Sequence, residues 1–480
     1  MTAPLLQLFQ HQTQGGLRDR LCATLRQAIA ADHLRLGQKL PSTRQLALDL
    51  RLSRVTVEAA YGQLESEGYL RRETGRGSYV AITLPAPPRN ARPARAPAFS
   101  TRGRQALITG GCQDPLFPHA FAAGSPELRA FPHLLWRRLT ASAQRASGAT
   151  LMRYGDPLGY LPLREAVADY VALSRGVRCK PEQVIILTSS QQALQLLAMM
   201  FLDPGDEVWL EEPCYPGARN AFLTAGARCR ALPLDAEGVM PAAGSAKLLY
   251  LTPSHHYPTG VTMSLARRLH WLNWARRHNS WLIEDDYDSE FHYEERPMPA
   301  MQGLDRYDRV IYLGTFSKSL FPSLRLAWMI APPELVEPLG QARSLMDGHS
   351  ALLPQAVTAA FLQQGHFASH LRLMRQLYHS RRDLLLRQLE TRLADWLRPL
   401  PAPGGLQLTV ALMKGDEARL TAQAAQLGLA LPRLSPLYAN TAAMPGWILG
   451  FSALERAEIV AGCDKLAQLF SRYGKSGRSP

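Results

Sequence analysis

Two apolar runs that stop abruptly at polar and charged residues limit what this chain can fold into more than any other feature. Val310-Ile311-Tyr312-Leu313 and Trp281-Leu282-Ile283 are short and rich in β-branched and aromatic residues, which reads as buried strands. The first runs into Gly314-Thr315-Phe316-Ser317-Lys318-Ser319-Leu320-Phe321-Pro322-Ser323-Leu324-Arg325 and the second into Glu284-Asp285-Asp286-Tyr287-Asp288-Ser289-Glu290-Phe291. In open α/β sheets, ligands bind at the carboxyl ends of the strands. A lysine there is ordinarily a solvated surface group. Beside Lys318, however, Thr315 and Ser317 offer hydroxyls to an anion, Arg325 offers a planar fork of donors, and apolar neighbours desolvate the amine. That setting suits a Schiff base. The acidic run reads as a solvated loop, as a divalent-ion site or, taken with Lys318, as a carboxylate for a protonated pyridine nitrogen beside a tyrosine for a ring oxygen.

Further strand-like runs at Val184-Thr188, Glu207-Leu210, Lys247-Thr252, Ser280-Glu284, Val310-Gly314 and Leu326-Ala331 alternate with helical patterns. Such alternation predicts a mostly parallel, doubly wound sheet. Beyond Arg343 come amphipathic helices, notably His366 to Leu393, then short strands around Leu406-Val410 and Ile448-Phe451, which predict a smaller C-terminal α+β subdomain.

The first 82 residues follow a different pattern. Leu17, Leu21, Leu25, Ala28 and Ile29 share a helix face, and Ser42 with Gln45 reads as a capping box opening a helix from Thr43 to Leu50. Ser53 caps a third helix, with Val55, Ala59 and Leu64 expected on its core face. Gly68-Tyr69-Leu70 and Gly75-Arg76-Gly77-Ser78-Tyr79-Val80 predict a two-stranded wing with an arginine at its tip. The spacing is that of a helix-turn-helix, which presents the start of its recognition helix to base edges.

A formal charge of +14 makes an anionic partner the expectation, nucleic acid before an acidic membrane surface. Residues 83–106 carry five prolines and five arginines without one acidic residue and read as a semi-rigid linker. Six scattered cysteines predict free thiols and no structural zinc. Without a leader-like start or a stretch of about 18 apolar residues, the expected location is the cytoplasm, with no membrane partner.

The stretch from Leu40-Pro41-Ser42-Thr43-Arg44 through Gly75-Arg76-Gly77, the run Glu212-Pro213-Cys214-Tyr215-Pro216-Gly217-Ala218-Arg219, and the two motifs after the buried strands together resemble the MocR subgroup of GntR transcription regulators. Those proteins join a winged helix to a domain like the fold-type I aminotransferases that bind pyridoxal 5'-phosphate. The resemblance implies a winged helix over 1–82, a linker over 83–106, an aminotransferase-like α/β domain with its small subdomain over 107–473, and a tail over 474–480. It implies DNA contacts at Ser42, Arg44, Arg54, Thr56, Arg76 and Gly77. For the cofactor it implies Lys318 as the Schiff-base lysine, Asp285 at the ring nitrogen, Tyr287 at the ring oxygen and Tyr215 stacked on the ring. Ser190, Gln191, Ser317 and Arg325 would hold the phosphate, with Tyr154 lent to the neighbouring subunit of a head-to-tail homodimer. The implied function is a regulator sensing pyridoxal phosphate or a small amine or amino acid, the alternative being an active aminotransferase with an appended DNA-binding domain.

Three departures bear on these expectations. Ser189 stands where relatives often have glycine, which would narrow the approach to the phosphate. Tyr257 replaces the asparagine of the aminotransferase Asn-Pro-Thr-Gly motif. Ile448 takes the place of the arginine that clamps a substrate carboxylate, with Arg433 as a conceivable substitute. His255 and His256 read as plain loop residues in preference to ligand contacts.

Overall fold

A computed structural model describes residues 2–82, 98–109, 120–293, 298–439 and 442–476. The chain divides into two compact units, Met1–Ala98 and Phe99–Pro480. The prolines expected to stiffen the linker, Pro85 to Pro97, lie outside the described residues, as do Cys112 and the last four residues of the tail.

The first unit comprises α1 (Thr2–His11), α2 (Leu17–Ala30), α3 (Thr43–Leu50), α4 (Arg54–Ser66) and the wing strands β1 (Leu70–Glu73) and β2 (Gly77–Val80). Leu21, Leu25, Ala28 and Ile29 of α2 are buried as expected, but Leu17 in its first turn is 50% exposed. α1 has no counterpart in the sequence reading; its Leu5 and Phe9 complete the same core. The expected capping box is half formed: Ser42 Oγ accepts from the N–H of Gln45, while the Gln45 side chain turns forward to Asp49. In α4 the core face is Val57, Ala60, Tyr61 and Leu64, an i, i+3, i+4, i+7 stripe. Val55 and Ala59 were expected on it and lie off it, with Val55 79% exposed.

In the second unit an eight-stranded sheet is built from β3 (Val184–Leu187), β4 (Glu207–Glu212), β5 (Arg228–Asp235), β6 (Gly238–Val239), β7 (Leu248–Leu251), β8 (Trp281–Asp286), β9 (Val310–Thr315) and β10 (Ala327–Ile330). Their order across the sheet is β3-β10-β9-β8-β7-β4-β5-β6. The run from β9 to β5 is parallel, and β10 is antiparallel to both β9 and β3. Both faces are covered: Ile311 and Leu313 pack into one apolar cluster, while Val310 and Tyr312 pack into clusters on the other face. That is why these strands are apolar without alternation. Because β3 is parallel to β9 across the intervening β10, the carboxyl ends of β3, β4, β7, β8 and β9 open on one side of the sheet.

Helix Thr101–Thr109 begins inside the stretch read as linker, and Asn220 donates a hydrogen bond to its Thr109 carbonyl. The C-terminal part holds the helix His366–Arg392 and a small antiparallel sheet of β11 (Leu397–Pro399), β12 (Gln407–Leu412) and β13 (Gly446–Gly450). Among the described residues no helix is long and apolar enough to cross a membrane.

Candidate functional site

At the carboxyl ends of these strands lies a cavity of about 630 Å³. Lys318, Asp285, Tyr287, Tyr215, Ser190, Gln191, Ser317 and Arg325 all line it, although the sequence spreads them from position 190 to position 325. Tyr154 is not on this wall; it is 98% exposed, its ring edge-on to His349.

Lys318 follows β9, and its Nζ donates to the Gly124 carbonyl at 2.9 Å. Gly124 has φ +77, a conformation that favours glycine, and a Cβ there would fall 2.8 Å from that nitrogen and displace the amine. The three successive carboxylates that end β8 point in different directions. Glu284 accepts from the N–H groups of Met301 and Gln302, and Asp286 accepts from Arg175 Nε at 2.7 Å and the Tyr312 hydroxyl at 2.6 Å. Only Asp285 faces the cavity, where Tyr250 donates to Oδ2 at 2.7 Å and Oδ1 is buried without a partner. Burial pushes this carboxyl up to about 7, with the neighbouring Asp286 and Asp288 adding to the rise. A buried acceptor left open beside a cavity is a place for a cationic donor. Tyr250, which orients Asp285, carried no signal in the sequence, because it sits inside an ordinary apolar strand.

An anion cradle forms the other end. Ser190 opens the helix Ser190–Phe201, whose first turn lines the cavity. Ser189 has φ −171, extended backbone that any residue adopts, so the serine stands there without strain. Its cost is different: Ser189 Oγ takes the N–H of Gln192, one of the donors of the helix start. Gln191 is partly committed, its Nε2 donating to the Gly217 carbonyl at 3.0 Å. Arg325, in left-handed conformation at φ 53, is exposed and has no ion-pair partner among the described residues. Tyr215 stands at the start of the helix Pro216–Thr224, edge-on to Tyr257, which is in turn edge-on to Tyr287.

Packing places the remaining candidates. His255 lies in the loop after β7 and off the cavity wall, 7% exposed and wedged between Asp288 and Tyr287. Burial opposes its charge, but Asp288 outweighs burial and holds the imidazole above its ordinary range. His256 is buried too, and burial pushes it down to about 3, leaving it neutral. Ile448 is 1% exposed among Leu434 and Leu437 and does not reach the cavity. Arg433 is not among the cavity's lining residues; its Nε is 2.8 Å from Glu417 and a second nitrogen reaches Ser435.

The arginines of the helix-turn-helix unit differ in their partners. Arg26, Arg71 and Arg72 are paired with Glu67, Glu73 and the Glu58–Glu65 pair. Arg44, Arg54 and Arg76 are exposed and have no ion-pair partner among the described residues. Arg44 lies in the first turn of α3, Arg54 opens α4, and Arg76 sits in the wing turn beside Gly77, whose φ of +113 requires glycine. Thr56 and Ser42 are at the same helix starts, and Ser53 caps α4 by accepting from the Thr56 N–H. The exposed Val55 lies next to Arg54 in the first turn of α4, off the core face on which it was expected.

Residues 17–80 match the bacterial regulatory proteins of the gntR family, and residues 127–465 match aminotransferase class I and II. The chain is 39% identical to the probable rhizopine catabolism regulatory protein MocR of Rhizobium meliloti, over 96% of this chain and 95% of that protein. It is 30% identical to the pyridoxine biosynthesis transcriptional regulator PdxR of Corynebacterium glutamicum, over 90% and 91% of the two chains. The 2-aminoadipate transaminase of Thermus thermophilus is 33% identical over 73% of this chain and 89% of its own. Among solved structures, the α-aminoadipate aminotransferase LysN of Thermus thermophilus superimposes with a TM-score of 0.68 at 31% identity, covering 78% of this chain and 95% of LysN. Aminotransferases of this class typically bind pyridoxal phosphate. With a helix-turn-helix of the gntR type ahead of such a domain and full-length regulators as its relatives, this chain belongs to the MocR-type transcription regulators of the GntR family.

Proposed function

We propose that this protein is a cytoplasmic, homodimeric DNA-binding regulator whose aminotransferase-like domain binds pyridoxal 5'-phosphate and adjusts DNA affinity to what occupies the cavity. The observation that carries the reading is Asp285, whose buried Oδ1 has no partner among the described residues, set in one wall with Lys318 and with Arg325, which has no ion-pair partner among them. These residues fit the cofactor: Asp285 suits a protonated ring nitrogen, Tyr287 a ring oxygen, and Tyr215 the ring face. Ser190, Ser317, Arg325 and the helix start suit the phosphate, and Lys318 the covalent link. When bound, the cofactor supplies a carbonyl that captures primary amines. The exposed Tyr154, absent from its own chain's cavity, supports a second subunit taking it up.

A sensor is favoured over a turnover enzyme by the charges of the cavity wall. Lys318 and Arg325 are the cations among its lining residues, and the cofactor claims both. With Ile448 buried and Arg433 held by Glu417, an amino acid's carboxylate finds no bidentate clamp there. The effector is then the vitamer itself, in keeping with the regulator of pyridoxine biosynthesis among the relatives, or a small amine. The rival reading, a working aminotransferase, draws on the 2-aminoadipate transaminase likeness.

Fluorescence anisotropy with DNA from upstream of the gene, at fixed salt with and without pyridoxal phosphate, tests the proposal. A sequence-selective affinity that changes with the cofactor supports it. Selective binding that ignores both cofactor and amines refutes the sensing role. Sustained transamination of an amino acid and a keto acid, beyond one turnover per site, refutes the preference for a sensor.

A further inference from the structure

Behind the cavity wall, one imidazole nitrogen serves two groups that face the cavity. His255 Nδ1 lies 3.0 and 3.1 Å from the two carboxylate oxygens of Asp288 and 3.2 Å from the Tyr287 hydroxyl. Asp288 and Tyr287 line the cavity; His255 is not among its lining residues. We propose that His255, fixed by Asp288, is a positioning residue that turns the hydroxyl proton of Tyr287 into the cavity and so makes Tyr287 a donor there. The proposal rests on the cofactor reading of the cavity, whose ring oxygen Tyr287 would meet.

The argument is one of proton placement. A lone pair on Nδ1 would face a carboxylate at 3.0 Å, so Nδ1 carries a hydrogen in both the neutral and the charged imidazole. A nitrogen that bears hydrogen cannot accept from Tyr287. The phenol oxygen therefore receives the N–H or lies alongside it, and the phenol's own proton points elsewhere, the cavity being the open side. Burial and the surrounding carboxylates hold the Tyr287 phenol well above its ordinary range, so it keeps that proton to donate.

The frame around the ring leaves it little freedom. Gly405, at φ +82, lies against the imidazole, and a Cβ there would fall 2.3 Å from His255 Cε1 and 2.8 Å from Asp288 Oδ2. On another side, a Cβ on Gly260 would stand 3.4 Å from Nε2. The imidazole also stacks on the Tyr287 ring, with centroids 6.0 Å apart and planes 29° from parallel. A merely structural histidine would need none of this alignment on a single hydroxyl.

The test uses full-length protein loaded with pyridoxal phosphate, reading its visible absorption spectrum and the cofactor Kd at fixed pH. His255→Leu is expected to shift the spectrum in the same direction as Tyr287→Phe and to weaken cofactor binding about tenfold, the range of one well-placed hydrogen bond. His255→Asn, which keeps an N–H near the same place, is expected to restore the spectrum. Asp288→Asn retains the imidazole but removes the carboxylate that dictates its hydrogen, so it should shift the spectrum even if His255→Leu fails to fold. The double variant His255→Leu/Tyr287→Phe is expected to match Tyr287→Phe. An unshifted spectrum in both Asp288→Asn and His255→Leu, or additive effects in the double variant, overturns the inference alone. A wild-type protein with no cofactor band at all overturns the cofactor reading beneath it.

Discussion

Asp285 is placed under two opposed demands. For the fold its burial is a burden, because burial raises the carboxyl from 3.8 to about 7 and so disfavours its charged form. The sign follows from that direction. A carboxyl whose folded value is raised binds its proton more tightly in the folded state, so its contribution to stability is lost as pH climbs from about 4 to 7. Asp285→Asn is therefore expected to melt higher than wild type at pH 8 without cofactor, by on the order of 1 kcal/mol or more, and to show no such advantage at pH 4. The same variant should bind pyridoxal phosphate more weakly, since the amide cannot neutralise a protonated ring nitrogen. Thermal melts at the two pH values, with and without cofactor, check both halves. At the neighbouring strand end, Lys318→Ala is expected to leave noncovalent cofactor binding but abolish the absorbance that survives borohydride reduction and denaturation.

At the scale of elements, α3, α4 and the wing bring Arg44, Arg54 and Arg76 to their exposed ends, while Arg26, Arg71 and Arg72 are engaged in ion pairs. Arg76→Ala should lower the salt dependence of DNA binding by about one released counterion, whereas Arg26→Ala, whose partner is Glu67, should leave it unchanged. Salt titrations of the anisotropy distinguish the two. Ser53→Ala removes the cap of α4 and is expected to cost about 1 kcal/mol in the melting of the winged-helix unit. These elements were largely legible in the sequence. Caps, strand runs and turn residues are local signals, and the six expected strands of the large sheet fall within a residue or two of their limits, while β5 and β6 were not expected. What the sequence reading missed has local causes too. The helix Thr101–Thr109 begins within an arginine-rich stretch that resembled linker, and Val55 was counted into a core stripe that α4, by its rotation, builds from Val57, Ala60, Tyr61 and Leu64.

At the scale of the whole molecule, the proposal of a shared site has a direct consequence. Tyr154→Ala and Lys318→Ala chains should each make homodimers with impaired cofactor sites. Mixed and reassembled, they should regain one intact site per heterodimer, read as the return of cofactor absorbance to about half per dimer; no recovery would refute the lending of Tyr154. The sequence by itself determined the two-part architecture, because strand ends, turns and caps are written in neighbouring residues, and the family resemblance pointed to eight of the residues that line the cavity. It did not show that Tyr250 holds Asp285 or that Arg433 is spent on Glu417. Nor did it reveal His255 as the buried link between Asp288 and Tyr287. Those outcomes belong to the tertiary structure, since burial and hydrogen-bond partners depend on which distant segments meet, and no local pattern records which of several similar side chains will find a partner and which will be left open.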